Sequence, residues 1–277
     1  MLRLSIRKHF QVWEEMIVLM VCHRRLIWEV AKREITDRYT GQVFGIFWTI
    51  AHPFILISIY VFVFNFVFKT RIGGTSEMPL DYVTYLLAGL IPWVAIQEVM
   101  SKATTIIKSS TILVKQTVFP IEVLPISVVL TSLLNQLILS FFLLLYVLIS
   151  YKHWFWTYSL LPVLFFIQSL FVLGVSFVLS SIAVYLKDMK DIVQILSVVG
   201  IYLMPIVYLP TWVPNIFRPL IYINPFSHLI WCYQDVIYFG RFEHSWAWVV
   251  TVIVALTFCY LGFRLFRKLK IMFGDVL

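Results

Sequence analysis

Few residues of this 277-residue chain have the types and spacing that catalysis requires. The clearest candidates are Asp188 and Asp191, two carboxylates in the stretch YLKDMKDI (185–192) that could bind a divalent metal or a sugar nucleotide. Lys187 and Lys190 flank them, and such mixed charges are more often a solvated turn and a helix cap than a reactive site. We therefore expect no catalytic residue and no metal site in this chain.

Motifs for ATP hydrolysis and for nucleophilic or zinc-dependent chemistry do not occur in the sequence either. Without a GxxxxGK[ST] phosphate loop, the chain cannot bind and hydrolyse ATP by that route. HExxH, GxSxG and paired-cysteine motifs are also missing. Cys22, Cys232 and Cys259 lie too far apart in sequence to suggest a metal site. We expect free thiols, and no cofactor bound to this chain.

The elements that would have to position any site are membrane helices. Hydrophobic residues make up 61% of the chain and charged residues only 13%, about half the share found in soluble domains. Because about 20 apolar residues cross a bilayer as a helix, long uncharged runs predict spans. The long runs are 39–68, 123–151, 153–186, 192–217 and 244–263, and a shorter one is 82–97. The sequence therefore predicts an all-α polytopic membrane protein.

Lysine and arginine counts predict how six spans are oriented. The predicted spans are 45–68, 82–102, 122–150, 158–185, 192–209 and 246–266. Of the 22 basic residues, 17 fall on the side of both termini and 5 on the other side. Cytoplasmic loops carry the excess of basic residues, so both termini are expected in the cytoplasm. The net charge of +8 is thus an orientation signal, and nothing suggests nucleic acid.

Ionisable residues inside the predicted spans are scarce. Only Glu98, Glu122 and His52 lie near span ends. Transporters driven by protons or ions usually place carboxylates or histidines near the middle of the membrane. The scarcity favours an energy source outside this chain.

The predicted N-terminal region, residues 1–44, contains a dense charged block. Residues 24–37 alternate with helical periodicity, with an apolar face opposite a basic one. Such a helix next to a span tends to lie in the membrane interface, although a solvated helix would fit too. The charged residues Lys32, Arg33, Glu34, Asp37 and Arg38 form the end of this helix, and a 30-residue uncharged stretch comes after it.

The connection between the second and third predicted spans is unusually apolar. A short helix at about 108–118 would expose an apolar tip, bounded by Ser109 and Ser110 before it and Pro120 after it. An exposed apolar tip needs a partner to cover it, which favours a docking element. The alternative is that the stretch extends the two neighbouring spans.

Five prolines interrupt the end of the fifth predicted span and the region after it, at position 205 just inside the span and at positions 210, 214, 219 and 225 beyond it. Prolines at this density break a spanning helix, yet the segment is too apolar for an open loop. Two short re-entrant half-helices within about 210–242 satisfy both facts. The region 208–248 is also rich in aromatic residues. They suit a membrane-interface belt or a collar that packs against sugars at the exit of a pathway.

Several segments resemble the permease subunit of ABC-type polysaccharide exporters, which move lipid-linked O-antigen and teichoic acid. The resemblance covers about residues 28–270. Its motifs are Arg33, Glu34, Arg38-Tyr39, Gly45, Trp48 and Pro53, then LVKQTVFPIEVLP (113–125), YLKDMKD (185–191), MPIVY (204–208) and INPFSHLIWCYQD (223–235). The chain departs from the family pattern at Gln42, Phe44, Lys187 and Gln234, the last standing where arginine is common.

The resemblance implies a channel made by two copies of the chain, working with two separate ABC ATPase subunits that bind ATP and Mg²⁺. It implies a six-span domain at 45–266, a cytoplasmic tail at 267–277, and export of a lipid-linked polysaccharide, O-antigen above all. The residues implied for coupling to the ATPase are Lys108, Ser109, Leu113, Val114 and Lys115. Those implied for an interfacial gate helix are Arg33, Glu34, Arg38 and Tyr39, and those implied for the exit are Tyr208, Trp212, Asn224, Pro225 and Trp231.

Three other classes of function stay open at this point. One is a drug or haem exporter of the same superfamily, whose lipophilic cargo would also suit the exit aromatics. Another is a passive channel, which would need no ATPase partner. The third is a membrane enzyme acting on lipid-linked sugars, which would need acids or a histidine converging near one leaflet. The acids predicted on the outer side, Glu77, Asp81, Asp235 and Glu243, show no evident pairing in sequence.

Overall fold

The computed structural model describes residues 2–63, 79–115, 119–152 and 154–276, and these residues form helices and turns without β-strands. The helices are α1 (Leu2–Cys22), α2 (Arg24–Tyr39), α3 (Trp48–Val61), α4 (Tyr82–Ala103), α5 (Ile106–Ser109), α6 (Thr111–Val114), α7 (Val123–Tyr151), α8 (Leu161–Tyr185), α9 (Met189–Leu203), α10 (Arg218–Ile223), α11 (Pro225–Gln234), α12 (Ser245–Leu269) and α13 (Phe273–Val276). The expectation of an all-helical protein is thereby confirmed for the described residues.

Four helices in the described part of the chain are long and apolar enough to cross a membrane. They are α4, α7, α8 with the 3₁₀ turn Trp156–Leu160 before it, and α12 with the turn that comes after it. Their bounds fall within a few residues of the predicted spans, because long uncharged runs determine where such helices begin and end. The chain is a polytopic membrane protein.

The two remaining predicted spans contain shorter helices. α3 covers 14 residues of the predicted span 45–68, and residues 64–68 lie outside the described part of the chain. α9 has 15 residues, about 22 Å of helix, whereas a bilayer core is about 30 Å thick. It ends at Leu203 because Pro205 lacks a backbone N–H and disfavours helical geometry at Met204, which is extended.

α4 lies at the centre of the bundle and is buried along most of its length, against α7, α8, α9 and α11. α8 and α12 pack at backbone distance. A Cβ at Gly174 would lie 2.2 Å from the carbonyl carbon of Phe258, and one at Gly262 would lie 2.3 Å from the carbonyl oxygen of Gly174. Small residues allow such close helix approach in membranes, where packing drives association.

Interhelical hydrogen bonds define two ends of the bundle. At one end, which we call the basic end, the Tyr185 hydroxyl donates to the Leu269 carbonyl at 2.9 Å and Lys270 pairs with Glu122. α2 and the α5–α6 connection lie at this end. At the opposite end, the aromatic end, the Tyr238 hydroxyl donates to the Leu80 carbonyl at 3.0 Å and Thr157 to the Val236 carbonyl at 2.7 Å.

The aromatic end contains the proline-rich segment after α9. It forms a 3₁₀ turn (Pro210–Trp212), then α10 and α11, and a π-helical turn (Asp235–Phe239). Asn224 caps α11, its side chain accepting from the Phe226 N–H at 3.0 Å, and Pro225 occupies the first turn, where its missing N–H costs no hydrogen bond. Two short helices are therefore present in the region expected to hold half-helices.

Candidate functional site

An ion-pair network attaches α2 to α4 at the basic end. Arg38 and Lys102 both pair with Glu98, the Lys102–Glu98 distance being 3.0 Å, and Lys102 also pairs with Glu34. Asn135 of α7 donates to both Glu98 oxygens, at 3.0 and 3.2 Å. All four charged side chains are largely shielded from solvent, and two cations balance two anions. We call Glu34, Arg38, Glu98 and Lys102 the clamp.

The other residues expected in the gate helix lie outside the clamp. Arg33 forms an exposed ion pair with Asp37 at 3.3 Å, one turn along the same helix. Tyr39 ends α2, and its side chain is not among those described. Along the helix Ile27 and Ala31 are buried and Arg24, Arg25 and Lys32 are exposed, as expected for an amphipathic helix. Its location in the membrane interface stays a prediction.

The expected coupling segment is divided into two one-turn helices, α5 and α6, which meet at Ser110. Ser110 occupies the N-cap position of α6, but its side chain makes no cap hydrogen bond. Residues 116–118 of the expected helix lie outside the described part of the chain. The segment is thus held by packing, with Ile107 and Val114 as its buried anchors.

The structure divides the expected coupling residues between core and surface. Val114 is buried, Leu113 and Lys108 are half-buried, and Ser109 and Lys115 are exposed. Among the residues of the segment that the structure describes, the most exposed apolar side chain is that of Ile112, which is 80% exposed. Ile112 is not among the residues that the resemblance implies for coupling, and only the one-turn geometry distinguishes it from its apolar neighbours.

α2 and the α5–α6 connection line one cleft of about 410 Å³ at the basic end. Arg33, Glu34 and Asp37 lie on one wall, and Ser109 and Leu113 lie on the other. The structure therefore brings together two groups of residues that the sequence separates by about 70 positions.

At the aromatic end, side chains from two helices bind the turn after α9, residues 204–208. Tyr85 of α4 donates to the carbonyls of Pro205 and Tyr208, both at 3.1 Å, and Tyr82 donates to the carbonyl of Val207 at 2.6 Å. Gln234 donates to the Pro205 carbonyl at 2.7 Å from α11. Gln234, the departure from the family's arginine, thus supplies a neutral donor to a broken helix end.

The expected exit residues have different environments. Trp212 is 52% exposed, and Tyr208 is half-buried with its hydroxyl donating to the Tyr202 carbonyl at 2.9 Å. Asn224 and Pro225 start α11 and shape the backbone. These four residues line or frame the surface of the aromatic end.

Trp231 differs from the other expected exit residues because it is completely buried within the chain. Its ring contacts Tyr222, Trp246 and His228 with centroids 5.1–5.5 Å apart, and stacks on His244 at 5.3 Å with planes 9° apart. In this conformation Trp231 is a packing residue and offers no face to a polymer.

Asp235 is a buried carboxylate near the surface of the same end. It accepts from the backbone N–H of His244 at 3.0 Å, from His244 Nδ1 at 2.8 Å and from Trp248 Nε1 at 3.1 Å. The other acids expected on this side are engaged as well, Asp81 with Tyr146 at 2.6 Å and Glu243 with Arg241 at 2.7 Å. Glu77 lies outside the described residues, and Asp188 and Asp191 are exposed at the basic end.

A buried polar cluster inside the bundle was not predicted from the sequence. The amides of Gln136 and Gln168 exchange hydrogen bonds at 2.7 and 2.9 Å, and the Tyr233 hydroxyl donates to the Gln168 carbonyl oxygen at 2.5 Å. The three side chains join α7, α8 and α11. Single glutamines within long apolar runs were the available signal, because a buried amide in a membrane must find partners.

Comparison with known proteins agrees with this architecture. Residues 25–238 match the family described as ABC-2 type transporter. The chain is 27% identical over 255 residues to the O-antigen export system permease protein RfbA of Klebsiella pneumoniae, which covers 90% of this chain and 93% of that protein. It is also 27% identical over 256 residues to the protein of the same name from Myxococcus xanthus, covering 91% and 95% of the two chains. The chain therefore belongs to the ABC-2 type transporter family.

Proposed function

We propose that the chain is the transmembrane channel subunit of an ATP-driven exporter that moves a lipid-linked polysaccharide, of the O-antigen class, across the bacterial inner membrane. The observation that carries this proposal is the similarity, along about nine-tenths of the chain, to permeases named for O-antigen export. ATP and Mg²⁺ would bind to separate ATPase subunits, and this chain would contribute the pathway.

The basic end faces the cytoplasm in this proposal. It contains the N-terminal helices, the α5–α6 connection and the C-terminal helix, where most of the 22 basic residues occur. An excess of lysine and arginine is typical of cytoplasmic segments. The aromatic end would then be the exit, and α3 and α9 with their flanking residues would complete six spans.

Two ATPase subunits would dock at the basic end, one on each permease. The exposed side chain of Ile112, with Leu113, Lys108, Ser109 and Lys115 around it, would insert into the ATPase, while Ile107 and Val114 anchor the segment to the bundle. Movement of the ATPase would shift the α5–α6 connection toward α2, which lines the opposite wall of the cleft. The clamp would then pass the movement from α2 to α4. Arg33, Glu34, Arg38 and Tyr39 would then act as the gate helix.

A second copy of the chain would pack beside α9. Within α9 only Val193 and Gly200 are buried, while Ile195, Val198 and Tyr202 are among the most exposed apolar side chains. An apolar helix face left exposed in this way suits packing against a second copy of the chain.

The exit of the channel would be framed by Tyr208, Trp212, Asn224 and Pro225. Aromatic rings pack against the apolar faces of sugars, and hydroxyl groups satisfy their polar edges. α10 and α11 would be half-helices that enter the membrane from the outside, and α11 has the burial this requires. Trp231 would support this region from within.

Deletion of the gene in its host tests the proposal. Surface polysaccharide should be lost, and lipid-linked polymer should accumulate inside the cell until a plasmid copy restores export. Loss of surface polymer without intracellular accumulation would instead indicate an enzyme of polymer synthesis. Unchanged surface polysaccharide would contradict the proposal.

A further inference from the structure

A cleft at the aromatic end has the dimensions and lining of a small-molecule site. It lies between Leu209–Thr211, Tyr222 of α10 and the turn 239–244, and has a volume of about 500 Å³. Small-molecule sites typically occupy roughly 300–1,000 Å³. The cleft is separate from Trp212 and Asn224, which frame the proposed exit but do not line it.

Aromatic rings form part of the cleft wall. Tyr85 lies buried at its base, with its hydroxyl occupied by the carbonyls of Pro205 and Tyr208, while Tyr222 is exposed and Phe239 half-buried. Tyr222 is supported from behind by Trp231 and Trp246, at centroid distances of 5.2 and 5.6 Å. A supported, exposed aromatic face suits the C–H face of a sugar ring.

His244 provides a preoriented hydrogen-bonding group in the same cleft. The buried Asp235 carboxylate can only accept and lies 2.8 Å from Nδ1, so Nδ1 carries a proton and donates to it. The ring is fixed further by stacking on Trp231. Nε2 makes no hydrogen bond with the residues that the structure describes and remains available to bond a hydroxyl group.

The charges of the cleft favour a neutral ligand. Arg241 Nε pairs with Glu243 Oε2 at 2.7 Å, so one cation balances one anion, and both side chains keep further donors and acceptors exposed to solvent. A phosphate or carboxylate ligand would meet the Glu243 carboxylate, and a purely apolar ligand would leave the polar groups of the cleft without partners. A hydroxyl-rich ring is neutral, and its hydroxyl groups can bond the polar groups of the cleft.

We propose that this cleft binds one sugar unit of a neutral glycan, with the ring packed on Tyr222 and its hydroxyls bonded to Arg241, Glu243 and His244. The proposal rests on the proposed function, since it needs the aromatic end to be where polymer emerges. It adds a glycan site beside the exit, built by residues outside the exit set and the clamp.

Saturation-transfer NMR on the full chain with its ATPase, in nanodiscs, tests the site. The probe is short oligosaccharides prepared from the surface polysaccharide of the strain that encodes the chain. Both variants Arg241→Gln/Glu243→Gln and Tyr222→Ala should weaken binding, each by about tenfold or more. The double variant changes only exposed groups, and so keeps the test valid if Tyr222→Ala misfolds. Trp154→Ala, at an exposed aromatic of the same end, should bind as the unchanged protein does.

Three results would overturn the site. They are no oligosaccharide binding at millimolar concentration, equal binding by the double variant, and binding that inorganic phosphate abolishes by competition. Failure of the proposed function is a separate outcome, because lipid-linked polymer would then have no effect on ATP turnover by the same complex. If ATP turnover responds to lipid-linked polymer but the complex binds no oligosaccharide, the glycan site is rejected and the proposed function stands.

Discussion

The guanidinium of Arg38 in α2 donates to the carboxylate of Glu98 inside α4, 60 residues further along the chain. This contact explains two irregular features of the sequence, the charged block before a 30-residue uncharged stretch and the one acid that interrupts the apolar run of α4. Lys102 and Glu34 complete the same network. Two residues of the charged block, Glu34 and Arg38, thus attach the amphipathic helix α2 to the central helix α4 through the clamp.

Glu98→Gln should weaken the clamp, because the neutral amide cannot balance the positive charges of Arg38 and Lys102. We expect the protein to lose about 2 kcal/mol of stability, as for hydrogen bonds to charged groups, and its ATP turnover to respond less to polymer. Thermal unfolding in detergent and turnover of the reconstituted complex measure the two effects. Asp37→Asn is the matched control. It breaks the Arg33–Asp37 pair, whose side chains are 77% and 64% exposed, and should cost less than about 1 kcal/mol. Equal effects of the two variants would refute the clamp.

Ile112→Asp should separate ATP hydrolysis from transport. Its side chain is 80% exposed, so a charge there should leave the fold intact while spoiling an apolar contact with the ATPase. Export should fall by about tenfold or more, as expected for an interface anchor worth over 1 kcal/mol. Membrane-inserted amounts and co-purification with the ATPase are measured together with export.

Ile271→Asp is the control for Ile112, since it is 79% exposed and comes after α12 at the same end of the bundle. It should leave docking unchanged. Leu113→Asp should also uncouple, whereas Val114→Asp places a charge in a buried position and should reduce folded protein. Normal export by Ile112→Asp would remove this residue from the docking surface.

Gly174→Ala should destabilise the bundle. The added methyl group would lie 2.2 Å from the backbone of α12, which must therefore move away. Overpacking of this kind costs about 1–3 kcal/mol, measurable as a lower unfolding temperature in detergent. Gly274→Ala, where the methyl group meets nothing within 4 Å, is the control. An unchanged unfolding temperature for Gly174→Ala would mean that α8 and α12 are further apart.

Trp212→Ala and Tyr208→Ala should slow polymer export, because each removes an aromatic surface at the proposed exit. Each is expected to reduce the rate several-fold, in line with about 1 kcal/mol for a lost ring contact. Tyr208→Phe keeps the ring and should retain most of the rate, although it loses the hydroxyl bond to Tyr202. Export rates are measured as surface polymer appearing after induction. If all three variants export polymer at the rate of the unchanged protein, these rings belong to the membrane-interface belt.

The sequence predicted the long helices closely because their signal is local. An uncharged run of sufficient length must form a helix in a bilayer, so α4, α7, α8 and α12 were placed within a few residues. The early end of α9 is a weaker signal, given only by Pro205 just inside the predicted span. The helix stops two residues before that proline, and hydrogen bonds from Tyr82, Tyr85 and Gln234 hold the turn beyond it.

Properties that depend on long-range contacts could not be predicted. Trp231 and Trp212 belong to the same aromatic-rich region, and only the packing of α11 inside the bundle shows that Trp231 is buried and Trp212 exposed. The pairing of Asp235 with His244 likewise arises from the turn after the π-helical residues. Helical periodicity gave the faces of α2, but it could not identify Glu98 as the partner of Arg38.

ATP turnover by the purified complex is the decisive test of whether this chain is the channel subunit of a polysaccharide exporter. The chain is co-purified with the ATPase encoded beside it, and hydrolysis is measured with and without the strain's own lipid-linked polysaccharide. We predict a stable complex with equal numbers of permease and ATPase chains, whose turnover changes when the polymer is added. A chain that purifies without any ATPase, or a complex whose turnover ignores the polymer, would show that it is not.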